Sequence, residues 1–162
     1  MVKIGLQFKA DLDNITNLHP EGDDFRWYIK FKCLNCGEET HDFTYLTLTE
    51  STPVKGGRGK ASLVLKCRLC LRENSVDIIP ESYHPYNIED SGKFKTVVAF
   101  DCRGIEPTDF SPRVGFAADS SFDNGVNFQD ISLTEKDWSD YDEKAKATVG
   151  IYDVTHQFKK LK

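Results

Sequence analysis

Hydrophobic and polar residues alternate with a period of two through most of the chain. Val2, Ile4, Leu6 and Phe8 are interleaved with Lys3, Gly5, Gln7 and Lys9; Phe25, Trp27, Ile29 and Phe31 are interleaved with Arg26, Tyr28, Lys30 and Lys32. This is the pattern of strands with one buried face. Further strand-like runs fall at 43–49, 62–67, 75–79, 95–102, 113–117, 129–134 and 148–154, separated by clusters of Gly, Pro, Asn and Asp. No segment carries a long apolar stripe at helical spacing, and the pattern predicts at most a short helix over 134–146. The predicted class is all-β.

The strand-like runs also recur. A displacement of 85 positions sets Phe25 on Phe110, Phe31 on Phe116, Phe43 on Phe128, Leu48-Thr49-Glu50 on Leu133-Thr134-Glu135 and Val64 on Val149. Upstream, a displacement of 90 sets Asp11 on Asp101 and Ile15 on Ile105. The expected organisation is one compact unit over 1–162 built of two pseudo-symmetric β-rich halves, 1–85 and 90–162, sandwich- or barrel-like. No Pro/Gly/Ser linker separates the halves, so they are expected to share a core.

Two Cys-x-x-Cys pairs, Cys33/Cys36 and Cys67/Cys70, carry the chemistry. Four thiolates at this spacing can close around one Zn²⁺ and leave no coordination position open, which defines a structural rather than a catalytic site. Each pair ends one strand-like run and precedes another, so two hairpin tips can face each other across the ion, as in a zinc ribbon. Gly37 suits the tight turn after Cys36; the second pair lacks that glycine and has Leu71 instead. At the 85-residue displacement the four cysteines fall on Ala118, Ser121, Tyr152 and Thr155. The second half therefore has no ligands, is expected to keep its shape by apolar packing alone, and one zinc per chain follows.

Thiol–disulfide chemistry is the competing reading. It wants a helix N-terminus to lower one thiol pKa, whereas the residues after Cys36 and Cys70 read as turn and strand. An iron–sulfur cluster could use the same four thiolates. Cys102, inside the apolar run 97–102, reads as a buried, inert thiol.

Charge narrows the partners. The 162 residues carry a formal net charge of −5, so the broad positive field that drives nucleic-acid binding is missing. Lys30, Lys32, Lys66, Arg68 and Arg72 gather around the cysteines and can offset the −2 of a zinc–tetrathiolate centre. The basic run 54–60 lacks phosphate-loop spacing and reads as a hairpin loop; its counterpart over 136–145 is acidic and aromatic. The two are expected to touch each other or to form a bipolar partner surface. His19, His41, His84 and His156 form no catalytic arrangement, although His41 could shield or supplement the metal, and no enzyme is expected. Met1-Val2-Lys3-Ile4 runs straight into the alternating pattern, so no secretory leader is expected, and no apolar stretch nears the ~20 residues of a membrane span. The expectation is a cytoplasmic protein, also compatible with the nucleus.

Phe31-Lys32-Cys33-Leu34-Asn35-Cys36-Gly37-Glu38, followed by Lys66-Cys67-Arg68-Leu69-Cys70, resembles the eukaryotic CXXC-motif-containing zinc-binding protein family. The similarity runs from Lys3-Ile4-Gly5-Leu6 through Ile78-Ile79-Pro80 to the strand near Val154. It implies a single Zn²⁺ held by Cys33, Cys36, Cys67 and Cys70, a pseudo-symmetric β-rich fold, a monomer and no established catalytic activity. The expected function is a metal-stabilised β scaffold for protein contact, with Trp138 and Tyr141 as candidate contacts. Metal handling, in which zinc or copper exchanges with a trafficking partner, is the alternative. A thiol oxidoreductase stands third.

Overall fold

A computed structural model describes residues 2–54 and 59–161. The centre of the basic run, 55–58, lies outside the described residues. Among the described residues fourteen strands follow one another: β1 (Val2–Asp13), β2 (Ile15–Pro20), β3 (Trp27–Cys33), β4 (Thr44–Leu46), β5 (Thr52–Pro53), β6 (Lys60–Ala61), β7 (Leu63–Lys66), β8 (Glu73–Ile79), β9 (Lys95–Arg103), β10 (Ile105–Ser111), β11 (Phe116–Ser120), β12 (Asn127–Ile131), β13 (Trp138–Asp142) and β14 (Ala147–Lys160). Two 3₁₀ turns, Pro80–Ser82 and Ile88–Asp90, lie between β8 and β9. The fold is all-β, and among the described residues no helix is long and apolar enough to cross a membrane.

Alternation builds the elements as the sequence predicts. In β3, Trp27, Ile29, Phe31 and Cys33 are buried while Tyr28, Lys30 and Lys32 remain half-buried. Six antiparallel strands form a curled sheet in the order β13-β14-β1-β9-β8-β7; two three-stranded sheets, β10-β3-β4 and β12-β11-β2, and the small hairpin β5-β6 complete the fold. The six-strand order reads the same from either edge when β1 is exchanged with β9, β14 with β8 and β13 with β7. In the smaller sheets, β2 pairs with β11 and β10 with β3. Each half thus lends a strand to a sheet of the other.

A continuous core results. Leu6, Ile15, Trp27, Ile29, Phe31, Phe100, Ile131, Leu133 and Ile151 are fully buried in one cluster that draws on both halves. The Trp27 ring lies 4.7 Å from Phe25, 5.9 Å from Phe110 and 6.4 Å from Phe100. Its indole N–H donates to the Tyr83 hydroxyl at 3.0 Å, which satisfies the one polar atom this side chain buries. Burial of side chains of this size contributes about 1.5–3 kcal/mol each.

One expectation needs correction. The segment 134–146 forms no helix: Trp138 pairs with Ile151 and Tyr141 with Thr148 across an antiparallel ladder, and Trp138 packs edge-on to Phe128 at 5.5 Å. Tertiary pairing overrides a weak local signal here. The flanks of the basic run, β5 and β6, pack beside β7 and β8, whereas β13 is the opposite edge of the six-stranded sheet; the centre of the run, on which the expected contact with 136–145 turns, lies outside the described residues. Strands β2 and β10 were not evident from alternation, because Asn17, Pro20, Pro107 and Asp109 interrupt their apolar pattern.

Candidate metal centre

Two turns of the same construction bring the cysteines together. In the first, leaving β3, Cys33 N donates to Glu38 O at 2.8 Å and Gly37 N to Cys33 O at 2.8 Å. In the second, between β7 and β8, Cys67 N donates to Arg72 O at 2.9 Å and Leu71 N to Cys67 O at 2.9 Å. Gly37 (φ 83°) and Leu71 (φ 64°) occupy the same left-handed position. The two turns meet face to face: Cys33 Sγ lies 3.8 Å from Cys70 Sγ, and Cys36 Sγ 3.4 Å from Cys67 Sγ.

All four sulfurs lie within 4.8 Å of one another, and they are the only such group of potential metal ligands among the described residues. With Zn–S bonds of about 2.3 Å, the edges of a zinc–sulfur tetrahedron are about 3.8 Å. Both the dimensions and the donor type therefore fit Zn²⁺. Cys33 and Cys67 are buried, Cys70 is half-buried and Cys36 exposed. A cavity of about 220 Å³ opens beside the inner pair and is lined by Cys33, Cys67, Asn74, His41 and Lys66.

The thiols are not equivalent before metal binds. Asn74 Nδ2 donates to Cys33 Sγ at 3.4 Å. That bond and the backbone N–H groups of Cys36 and Asn35 hold the Cys33 thiol down at about 6, against the opposing effect of burial. Cys70 is also lowered, by hydrogen bonds from the Asn35 side chain and the Arg72 backbone. Cys36 accepts from the Glu38 backbone, but desolvation and the neighbouring Cys67, Cys70 and Cys33 outweigh this and push it up to about 12. Four adjacent thiols resist joint ionisation until a cation compensates them, so metal capture releases protons.

The second half carries a counterpart made of hydrogen bonds. Leu63 pairs with Val76 as Trp138 does with Ile151, and Lys66 with Glu73 as Tyr141 does with Thr148, a displacement of 75. Ile105 pairs with Cys33 as Ile15 does with Ser120. Leu34 N donates to Gly104 O at 3.0 Å, and Ser121 N to Asn14 O at 3.0 Å. Left-handed residues also match, Gly37 with Gly125 and Leu71 with Lys146. On these registers Cys33, Cys36, Cys67 and Cys70 correspond to Ser120, Asn124, Asp142 and Ala145. The uniform displacement of 85, which set them on Ala118, Ser121, Tyr152 and Thr155, fails because the connections differ in length between halves.

This counterpart is polar. Asp142 is fully buried and accepts from Ser120 Oγ, from Asn124 Nδ2 at 2.9 Å, and from Lys144 N and Ala145 N at 3.0 Å each. Those donors, Ser120 foremost, hold its carboxyl down at about 2. Apolar packing alone is therefore not what holds the second half at this point.

The remaining candidates fall elsewhere. His41 is exposed and lines the cavity without joining the sulfurs. Cys102 is buried, and desolvation, helped by Asp101 and Glu106, pushes it up to about 12. Tyr141 is exposed and Trp138 half-buried. Asn74 and Gly104 were missed from the sequence, because only the three-dimensional register sets β8 against the end of β3.

A family model described as "CXXC motif containing zinc binding protein, eukaryotic" matches residues 5–159. The chain is 59% identical over 160 residues to the CXXC motif containing zinc binding proteins of Xenopus laevis and Homo sapiens, covering 99% of this chain and of each relative. The crystal structure of C1orf123 superposes with a TM-score of 0.94 at 58% identity, over 98% of this chain and 99% of that one. A hypothetical protein from Plasmodium falciparum shares the fold, with a TM-score of 0.88 at 22% identity over 98% of this chain and 100% of its own.

Proposed function

We propose, since the chain belongs to the eukaryotic CXXC-motif-containing zinc-binding protein family, that Cys33, Cys36, Cys67 and Cys70 hold one Zn²⁺ per chain as a structural centre. The metal supports a non-enzymatic scaffold for protein contact in the cytoplasm, and in the nucleus if its partner resides there. The protein acts as a monomer, without nucleic acid or membrane. The observation that carries this reading is the closure of the site: four sulfurs from two matching turns lie within 4.8 Å of one another, which leaves no coordination position for a substrate. When bound, the ion supplies cross-linking between β3 and the β7-β8 hairpin.

Metal handling is the second reading. It is favoured by the exposure of Cys36 and by the cavity that reaches Cys33 and Cys67, since both give a competing ligand access to the metal. Elemental analysis of the purified protein, followed by a chelator challenge monitored by circular dichroism, separates the two. One zinc, released slowly and with loss of fold, supports the structural centre. Rapid release with the fold retained, or uptake of copper in its place, supports exchange.

A further inference from the structure

Leu71 is unfavourable in two ways for the isolated chain. It holds φ at +64°, a left-handed conformation that glycine adopts freely and that Gly37 supplies in the matching turn. Its side chain is also 63% exposed. Among the described residues, eight non-glycine positions have positive φ: five are Asn or Asp, two are Lys, and Leu71 alone is apolar. Asn and Asp are the residues expected there, and a lysine stem at least ends in water. Among the described residues, Leu71 belongs neither to the buried core nor to the half-buried hydrophobics packed against it.

Leu71 has apolar company. Leu69, in the same turn, is 65% exposed, and Leu34, in the facing turn, is 51% exposed. Three of the seven large exposed hydrophobics among the described residues thus stand on the two turns that meet at the sulfurs. Lys66 precedes Cys67, Arg68 and Arg72 stand in the turn that carries Leu69 and Leu71, and Arg103 ends β9 opposite Ser75 of β8; all four are exposed, and none forms an ion pair among the described residues, where the pairs are Lys32–Glu106, Lys95–Asp90 and His156–Asp109. The chain as a whole carries −5, so an acidic partner is repelled by most of the surface and attracted here.

We propose that the outer face of the paired cysteine turns, with Leu34, Leu69 and Leu71 as apolar anchors inside a rim of Lys66, Arg68, Arg72 and Arg103, docks an acidic segment of a partner protein that inserts apolar side chains. This rests on the scaffold reading above and names its contact surface. The metal holds the two turns in register, so that three leucines from two hairpins present one patch.

The test is selection of a phage-displayed random dodecapeptide library on the zinc-loaded full-length protein, with the Leu71→Gly variant as counter-selection. Zinc content and melting temperature are recorded for both proteins. The expected result is enrichment of peptides combining Asp or Glu with leucine or an aromatic residue. A synthetic enriched peptide then loses about tenfold in affinity for Leu71→Gly and for Arg68→Glu, and weakens with added salt. Leu71→Gly melts at the same temperature or higher, because relaxing the backbone offsets the little packing it loses. A lower melting temperature would make Leu71 a structural residue and overturn the inference. So would enrichment of basic peptides, no enrichment, or binding to phosphatidylserine vesicles without binding to peptide. A protein that lacks zinc when purified refutes the scaffold reading instead; one that keeps zinc and fold but selects nothing refutes only the docking face.

Discussion

Asn74 Nδ2 donates to Cys33 Sγ across 3.4 Å, which ties β8 to the last residue of β3 at the inner edge of the sulfur cluster. Asn74 is buried and fits because Gly104 (φ +73°) has no side chain; a Cβ there would approach Asn74 Oδ1 to 2.4 Å. Donors of this kind hold a ligand in its anionic form and orient it toward the metal. Asn74→Leu keeps the volume and removes the donor. Zinc affinity, read by competition with a chromophoric chelator, is expected to fall about 10- to 100-fold. Gly104→Ala is expected to weaken zinc in the same direction by displacing Asn74. Unchanged affinity in both variants would show that the bond contributes only to packing.

Zinc removal bears on cooperativity. A structural zinc site contributes roughly 10–16 kcal/mol of apparent binding free energy in small finger peptides. The metal-binding half is not an independent body here, since β3 is paired with β10 and β2 with β11. Loss of zinc should therefore be felt across the whole chain. Calorimetry of Cys67→Ser is expected to give a single transition at a lower temperature than wild type. Two resolved transitions, one of them unshifted, would show that the halves unfold separately.

Strand identity and ligand identity were legible in the sequence for different reasons. Alternation reveals strands that bury one face, so β1, β3 and β9 stood out, whereas β2 and β10, which carry prolines and polar residues, did not. The cysteine spacing is local and reports its chemistry directly. Residues such as Asn74, Gly104 and Asp142 act through partners tens of residues away, at Cys33, Asn74 and Ser120. No local pattern marks them until the ladders are known. The ladder correspondence between the halves was not legible as recurring aromatics, because the displacement changes along the chain, 87 between Cys33 and Ser120 and 75 between the β7-β8 and β13-β14 hairpins, and a uniform 85 matches residues that hold different places in the ladders.

Asp142 gives a pH dependence with a defined sign. Its folded-state pKa of about 2 lies below the ordinary 3.8. The stabilisation is therefore complete above about pH 4 and is lost as pH falls from there through about 2. Asp142→Asn removes the charge and turns one acceptor into a donor facing Ser120 and Asn124. Urea midpoints for the variant are expected to lie below wild type at pH 7 and to converge on it between pH 4 and 2. A constant difference across that range would mean that the stabilisation does not come from the ionised carboxyl.

The matching of the two halves predicts a second metal site. Ser120, Asn124, Asp142 and Ala145 stand at the positions of the four cysteines, on turns whose left-handed residues, Gly125 and Lys146, match Gly37 and Leu71. The third and fourth ligand positions lie on a hairpin with the ladder of β7-β8. The first two lie on a turn one residue longer, since Ser120 N reaches Val126 O where Cys33 N reaches Glu38 O. Backbone, not residue type, then sets where sulfurs would converge. The quadruple variant S120C/N124C/D142C/A145C, refolded with excess zinc, is expected to hold two ions per chain by native mass spectrometry, and Cys33→Ser in that background should weaken only one of them. An occupancy that stays at one would place the extra residue beyond what the turn can absorb and limit the equivalence to the β13-β14 hairpin.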